Sequence, residues 1–156
     1  MDNQLIIYTD GAARGNPGRG GYGVVMMFGD KIKELSAGYR LTTNNRMELM
    51  AVIVALQALK KKGLPLTIYT DSQYIVNTIT KKWLNTWIKT DFKGGKKNKD
   101  LWLQYYALST DFSITFKWVK GHASNVYNNR CDQLATSAAD GNGLLVDNVY
   151  EAEVKL

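Results

Sequence analysis

What this chain of 156 residues lacks narrows it quickly. It has one cysteine, Cys131, so no internal disulfide can form and a reducing compartment is expected, with the cytoplasm as the default. His122 is the only histidine, and without a Cys/His cluster a structural zinc is argued against. No apolar run reaches the roughly eighteen residues of a membrane span, and Met1–Gln4 is too polar to open an export signal. Neither membrane nor secretion is expected. There is also no internal repeat and no linker, so a single domain with a core of its own is expected.

What is present is ordinary in amount and uneven in placement. Apolar residues make up 45% and charged residues 22%, the composition of a globular protein. The net charge is +6, and Lys81–Lys99 holds seven lysines against one acid, Asp91. That stretch alone carries the whole excess, and the remainder balances. A basic appendage on a neutral body suits a local polyanion contact; the plainer alternative is a solvated loop.

In chain order, Leu5–Thr9 reads as a central strand, apolar on both faces. The run DGAARGNPGRGG reads as turn chemistry, with Tyr22–Phe28 returning as a hairpin and Ile32–Leu41 as a third strand. A helix follows Thr42–Asn45 and reaches about Lys60, with Leu49, Val52, Ile53, Leu56 and Leu59 on one face and Glu48 at its edge. Leu66–Thr70 is a strand ending at Asp71, followed by a helix to about Ile79. Asp100–Thr110 and Asn129–Ala139 read as helices, Ser113–Val119 as a strand, and Gly141–Leu156 as a tail of modest order. The fold class is therefore α/β. A mixed five-stranded sheet, an antiparallel three-strand meander and then parallel strands, carries helices on both faces. Residues 1–141 form the domain, with a basic protrusion at about 81–99, and residues 142–156 are its C-terminal tail.

Four carboxylates stand where a fold gains little from them. Asp10 and Asp71 end apolar strands, Glu48 is on the edge of a buried helix face, and Asp132 is in the last helix. Clustered, they would repel one another and protonate unless a cation were present. Hard oxygen donors in that number suit Mg²⁺ or Mn²⁺, and two such ions can activate a water and stabilise a leaving oxygen on a phosphodiester. Taken singly, each also has a structural explanation as turn residue, helix cap, first-turn acid or surface acid.

The set TDG…GNPG…GGYG, TTNNRMELMA, TDSQY and WVKGHA…NNRCDQLA, in this order from Thr9 to about Ala139, resembles the bacterial type 1 ribonuclease H family. The resemblance implies a ribonuclease H-like fold and an endonuclease that cuts the RNA strand of RNA–DNA hybrids, leaving 3′-hydroxyl and 5′-phosphate ends. It also implies Mg²⁺ as cofactor, one or two ions per site, with Mn²⁺ as a substitute. By motif, Asp10, Glu48, Asp71 and Asp132 match the metal-binding acids, and His122 matches a group assisting proton transfer or product release. Asn16, Asn44, Asn45 and Gln73 match positions near the minor groove and RNA 2′-hydroxyls. Thr43 and Asn98 match a DNA-phosphate pocket, and Trp83, Trp87 and the Lys81–Lys99 lysines match the basic protrusion. A monomer with no obligate protein partner is expected.

Several positions have plainer duties or depart from the pattern. Trp87 can anchor the protrusion, Trp102 belongs in the core, and Cys131, about 100° around its helix from Asp132, reads as a buried structural thiol. Arg40 precedes Leu41, where some relatives carry a basic residue one place later. The loop after His122 reads ASNVYNN, without the glycine or proline often found there, and Lys82 is added before Trp83. Two other readings stay open: DNA cleavage or strand transfer by an integrase-like enzyme of the same fold, and a hybrid-binding module without chemistry.

Overall fold

The computed structural model describes residues 4–121 and 124–154. Five strands, β1 (Leu5–Arg14), β2 (Gly18–Phe28), β3 (Lys31–Thr42), β4 (Pro65–Thr70) and β5 (Ser113–Trp118), form one sheet in the order β3-β2-β1-β4-β5. β1, β2 and β3 pair antiparallel as a meander; β4 is parallel to both β1 and β5. The described residues also form six helices: α1 (Asn44–Gln57), α2 (Gln73–Thr80), α3 (Trp83–Lys89), α4 (Lys99–Ser109), α5 (Val126–Asp140) and α6 (Asn148–Val154).

Glycines decide how closely the layers approach. A Cβ on Gly11 of β1 would collide with the backbone of α1 at Met47 and Glu48. On the other face, a Cβ on Gly21 or Gly23 of β2, or on Gly38 of β3, would strike carbonyls of α5 at Ala135, Cys131 and Ala138. α1 and α5 thus lie on opposite faces of the sheet, each seated on bare backbone. The expected turn is accordingly much shorter than the glycine run suggests. β1 continues to Arg14 and β2 begins at Gly18, so most of these glycines are paired in the ladder. Their use is close packing rather than turning.

The main core lies between the sheet and α1. Ile7, Val24 and Ile68 from the strands meet Leu49, Val52 and Leu56, all at most 1% exposed. α4 packs on the far side of α1 and inserts Trp102, which is fully buried. Cys131 is buried too, its thiol donating to the carbonyl of Tyr8.

Two segments differ from expectation. α5 starts at Val126, because the Asn125 side chain accepts the Asn128 N–H at 2.9 Å and caps it. Residues 142–154 are tied down rather than loosely ordered. Leu145 exchanges backbone hydrogen bonds with Gly38 and Arg40 of β3, Asp147 is buried, and α6 follows. Among the described residues, no helix is long and apolar enough to cross a membrane.

Candidate metal centre and nucleic-acid groove

The site arises from a mismatch of strand lengths. β4 stays paired with β1 only as far as Thr9 and Thr70, then leaves the sheet, while β1 runs on with β2 as its one neighbour. Asp10 and Asp71 follow immediately, at the carboxyl ends of two parallel strands, where such sheets place ligands. The freed N–H of Gly11 donates to Asp10 Oδ1 at 2.9 Å and to Glu48 Oε1 at 2.8 Å. Gly11 therefore serves twice, admitting α1 by its missing side chain and fixing two carboxylates by its amide. Asp71 is held from β5, whose Trp118 Nε1 donates to its carbonyl at 3.1 Å. The loop after β5 comes close to this acid: a Cβ on Gly121 would lie 2.6 Å from Asp71 Oδ2 and would push that carboxylate aside.

One oxygen each from Asp10, Glu48 and Asp71 lies within 4.8 Å of the others. Asp10 and Glu48 are buried and Asp71 is half-buried. Burial, then the charges of Asp71 and Asp132, push the Asp10 carboxyl up to about 8. Burial and the charges of Asp10 and Asp71 likewise raise Glu48 well above the carboxylate range. Among the described residues, no lysine or arginine forms an ion pair with any of them. A group of hard oxygen donors with no cationic side chain paired to it among the described residues fits a divalent cation. Asp132, half-buried on α5, is outside the closest group but near enough to act on Asp10. His122 lies outside the described residues.

Beside this centre runs a groove of ≈ 670 Å³ that gathers most of the other expected residues. Asn16, Thr43, Asn45, Trp83 and Asn98 line it, together with Trp87, Lys96 and Lys97. Asn44 begins α1, and its N–H donates to Asn16 Oδ1 at 3.1 Å; Thr43 caps the same helix through Arg46 N–H. Gln73 is exposed on the first turn of α2, after the Ser72 cap, and does not line the groove. Trp83 is 42% exposed, whereas Trp87 is half-buried against Trp102 and so anchors the protrusion. The protrusion is built on α3, a helix for which the lysine-rich sequence gives little sign.

The groove rests on residues the sequence did not single out. Arg46 is 1% exposed and pairs with Asp147 through Nε at 2.7 Å and with Asp100 through Nη2 at 2.7 Å. Burial alone would raise the Asp100 carboxyl, but its hydrogen bonds to Arg46 hold it below the usual range. Asn98, in left-handed conformation at the start of α4, donates to Tyr74 Oη, which also accepts from Trp102 Nε1. Arg40, at the departure noted in the sequence, is occupied by a bidentate pair with Glu151. No local pattern reveals these partners, since they are far apart in sequence.

A mixed sheet of this order, with carboxylates gathered where its parallel strands end, defines the class of ribonuclease H-like folds. The RNase H family model matches residues 2–140. Ribonuclease H of Lachnoclostridium phytofermentans is 52% identical, with 95% of this chain and 99% of that protein covered. That of Erwinia tasmaniensis is 50% identical over 98% of this chain and 99% of its own. Among solved structures, LC9-RNase H1, a type 1 RNase H with the type 2 active-site motif, superposes with a TM-score of 0.80 at 28% identity, over 100% of this chain and 82% of that one. LC11-RNase H1 in complex with RNA/DNA hybrid gives 0.68 at 28% identity, over 88% of this chain and 97% of that one. The chain belongs to the RNase H family, whose members are metal-dependent nucleases.

Proposed function

We propose that this protein is an endoribonuclease that hydrolyses the RNA strand of RNA–DNA hybrids, leaving 3′-hydroxyl and 5′-phosphate ends. The observation that carries the reading is the convergence of Asp10, Glu48 and Asp71 within 4.8 Å, in a setting that penalises their charge. These acids, with Asp132 from α5, would hold one or two Mg²⁺ ions, or Mn²⁺ in their place. Such ions, when bound, supply an activated water and charge stabilisation at the phosphodiester. The chain's own contribution is to aim the donors: Gly11 N–H orients two of them. His122 would move a proton or assist product release.

Asn16, Asn44, Asn45 and Gln73 would meet the RNA strand at its minor groove and 2′-hydroxyls, which distinguish RNA from DNA. Thr43 and Asn98 would take a DNA phosphate, with Trp83 and the protrusion lysines alongside; their common groove supports this. Residues 1–141 act as one ribonuclease H domain with its protrusion at about 81–99, and residues 142–156 belong to the same unit. The protein works as a monomer in the cytoplasm.

A substrate panel tests the reading. With Mg²⁺, RNA in a hybrid is cut, while double-stranded RNA and double-stranded DNA are not. Asp10→Asn lowers the rate by about a thousandfold or more while the circular dichroism spectrum is kept, as expected when the charge stabilisation at a site is lost. Activity retained in Asp10→Asn ends the metal-site argument, and cutting of DNA alone favours an integrase-like reaction.

A further inference from the structure

The groove that would take the DNA strand has a third wall. Besides α1, α3 and the start of α4, it is lined by Tyr150, Glu153 and Val154 of α6. Facing a polyanion, a carboxylate there is out of place, since Lys96 and Lys97 line the same groove with the opposite sign. The helix is not free to take its charge away. Asp147, just before it, accepts from Arg46 Nε and from Thr42 Oγ1, both at 2.7 Å. Within it, Glu151 forms a bidentate pair with Arg40 at 2.8–2.9 Å. Ahead of both, Leu145 is hydrogen-bonded to β3 on two sides. Three anchors to β3 and the start of α1 therefore fix α6 at the groove edge.

We propose that Glu153 is an affinity-limiting residue of the groove, a fixed negative charge that sets how tightly a nucleic-acid backbone is held there. The proposal rests on the function inferred above. A groove lined by lysines alone would grip any duplex, whereas the acid leaves net binding dependent on the contacts that a correctly seated strand makes with Thr43 and Asn98. The acid weakens capture of every duplex that enters the groove.

The test is binding, kept separate from cleavage. Fluorescence anisotropy in EDTA gives the Kd of the full-length protein for a labelled hybrid and for double-stranded DNA of equal length, at low and at high salt. Asp30→Asn, in the β2–β3 turn at the far end of the sheet, makes the same change in net charge away from the groove. Glu153→Gln tightens both duplexes about threefold at low salt, and Glu153→Lys extends the trend. The differences shrink at high salt because exposed charges are screened. Asp30→Asn changes Kd less than twofold. Equal tightening by Asp30→Asn and Glu153→Gln reduces the effect to net charge and overturns the proposal; so does an unchanged or weaker Kd in Glu153→Gln. Failure of the unaltered protein to cut a hybrid with Mg²⁺ refutes the function instead, whatever Glu153 does.

Discussion

At the scale of single residues, the acidic cluster was the most legible part of the chain. Asp10 and Asp71 follow apolar strands and Glu48 sits on a buried helix edge, so their cost was visible before their proximity. Gly11 was not legible, because its two duties depend on α1 arriving 37 residues later. The repulsion at the centre has a consequence for stability. The Asp10 carboxyl has an ordinary value of 3.8 and is raised to about 8 in the folded, metal-free protein by burial and its acidic neighbours, and Glu48 moves the same way. The folded state thus binds more protons than the unfolded state between those values, and stability falls as pH rises through that window. For EDTA-treated protein, Tm should decline from about pH 5 to about pH 8. Mg²⁺ should restore more at the upper end than at the lower, because binding to the folded state alone stabilises it. Asp10→Asn should be more stable than the unaltered protein at pH 8 without metal. Differential scanning fluorimetry measures all of this, and a metal-free Tm that is flat across the range would contradict the clustering of these acids.

At the scale of elements, the strands and the α1 and α4 helices follow from period and punctuation, yet the glycine run was misread as a turn. Sequence alone cannot separate a glycine needed for positive φ from one needed for close packing; here Gly21, Gly23 and Gly38 are of the second kind, under α5. The C-terminal segment was illegible for a related reason. Locally Asp147 does no more than cap α6, its Oδ1 accepting the Tyr150 N–H at 3.3 Å, and only the fold brings it to Arg46. This pairing joins the start of α1, the start of α4 and the approach to α6 at a buried guanidinium. Asp147→Ala leaves Arg46 with Asp100 as its one remaining carboxylate, and breaking a buried pair from one side costs about 3 kcal/mol or more. Urea denaturation should register that loss. Asp140→Ala supplies the contrast. Its bidentate pair with Arg14 has side chains more than half exposed and screened by solvent, and its loss should cost far less than that of Asp147. Similar costs for the two variants would mean that the Arg46 cluster is not buried as described.

At the scale of the whole molecule, the uneven charge seen in the sequence acquires a direction. The seven lysines of Lys81–Lys99 read as one basic patch, but the fold treats them differently. Lys96 and Lys97 line the groove, Lys96 lies over the Trp87 ring at 5.5 Å, and Lys99 is paired with Asp91 at 2.6 Å. Lys93 is exposed and does not line the groove. Sequence position could not make this distinction, because it depends on how α3 and the glycines at 94 and 95 turn the chain back, both with positive φ. If binding runs through the groove, only the lining lysines release counterions when a backbone enters. Each phosphate contact contributes about 0.9 to the slope of log Kd against log salt. Lys96→Gln with Lys97→Gln should therefore lower that slope by roughly 1–2 for a hybrid duplex, with weaker binding at low salt and little change at high salt. Lys93→Gln should leave the slope where it was. Should Lys93→Gln reduce it as much as a lining lysine does, the protrusion acts as a diffuse positive field and the groove is not the path of the strand. A difference between them instead ties the charge asymmetry of the chain to one surface, the one that adjoins the Asp10 centre.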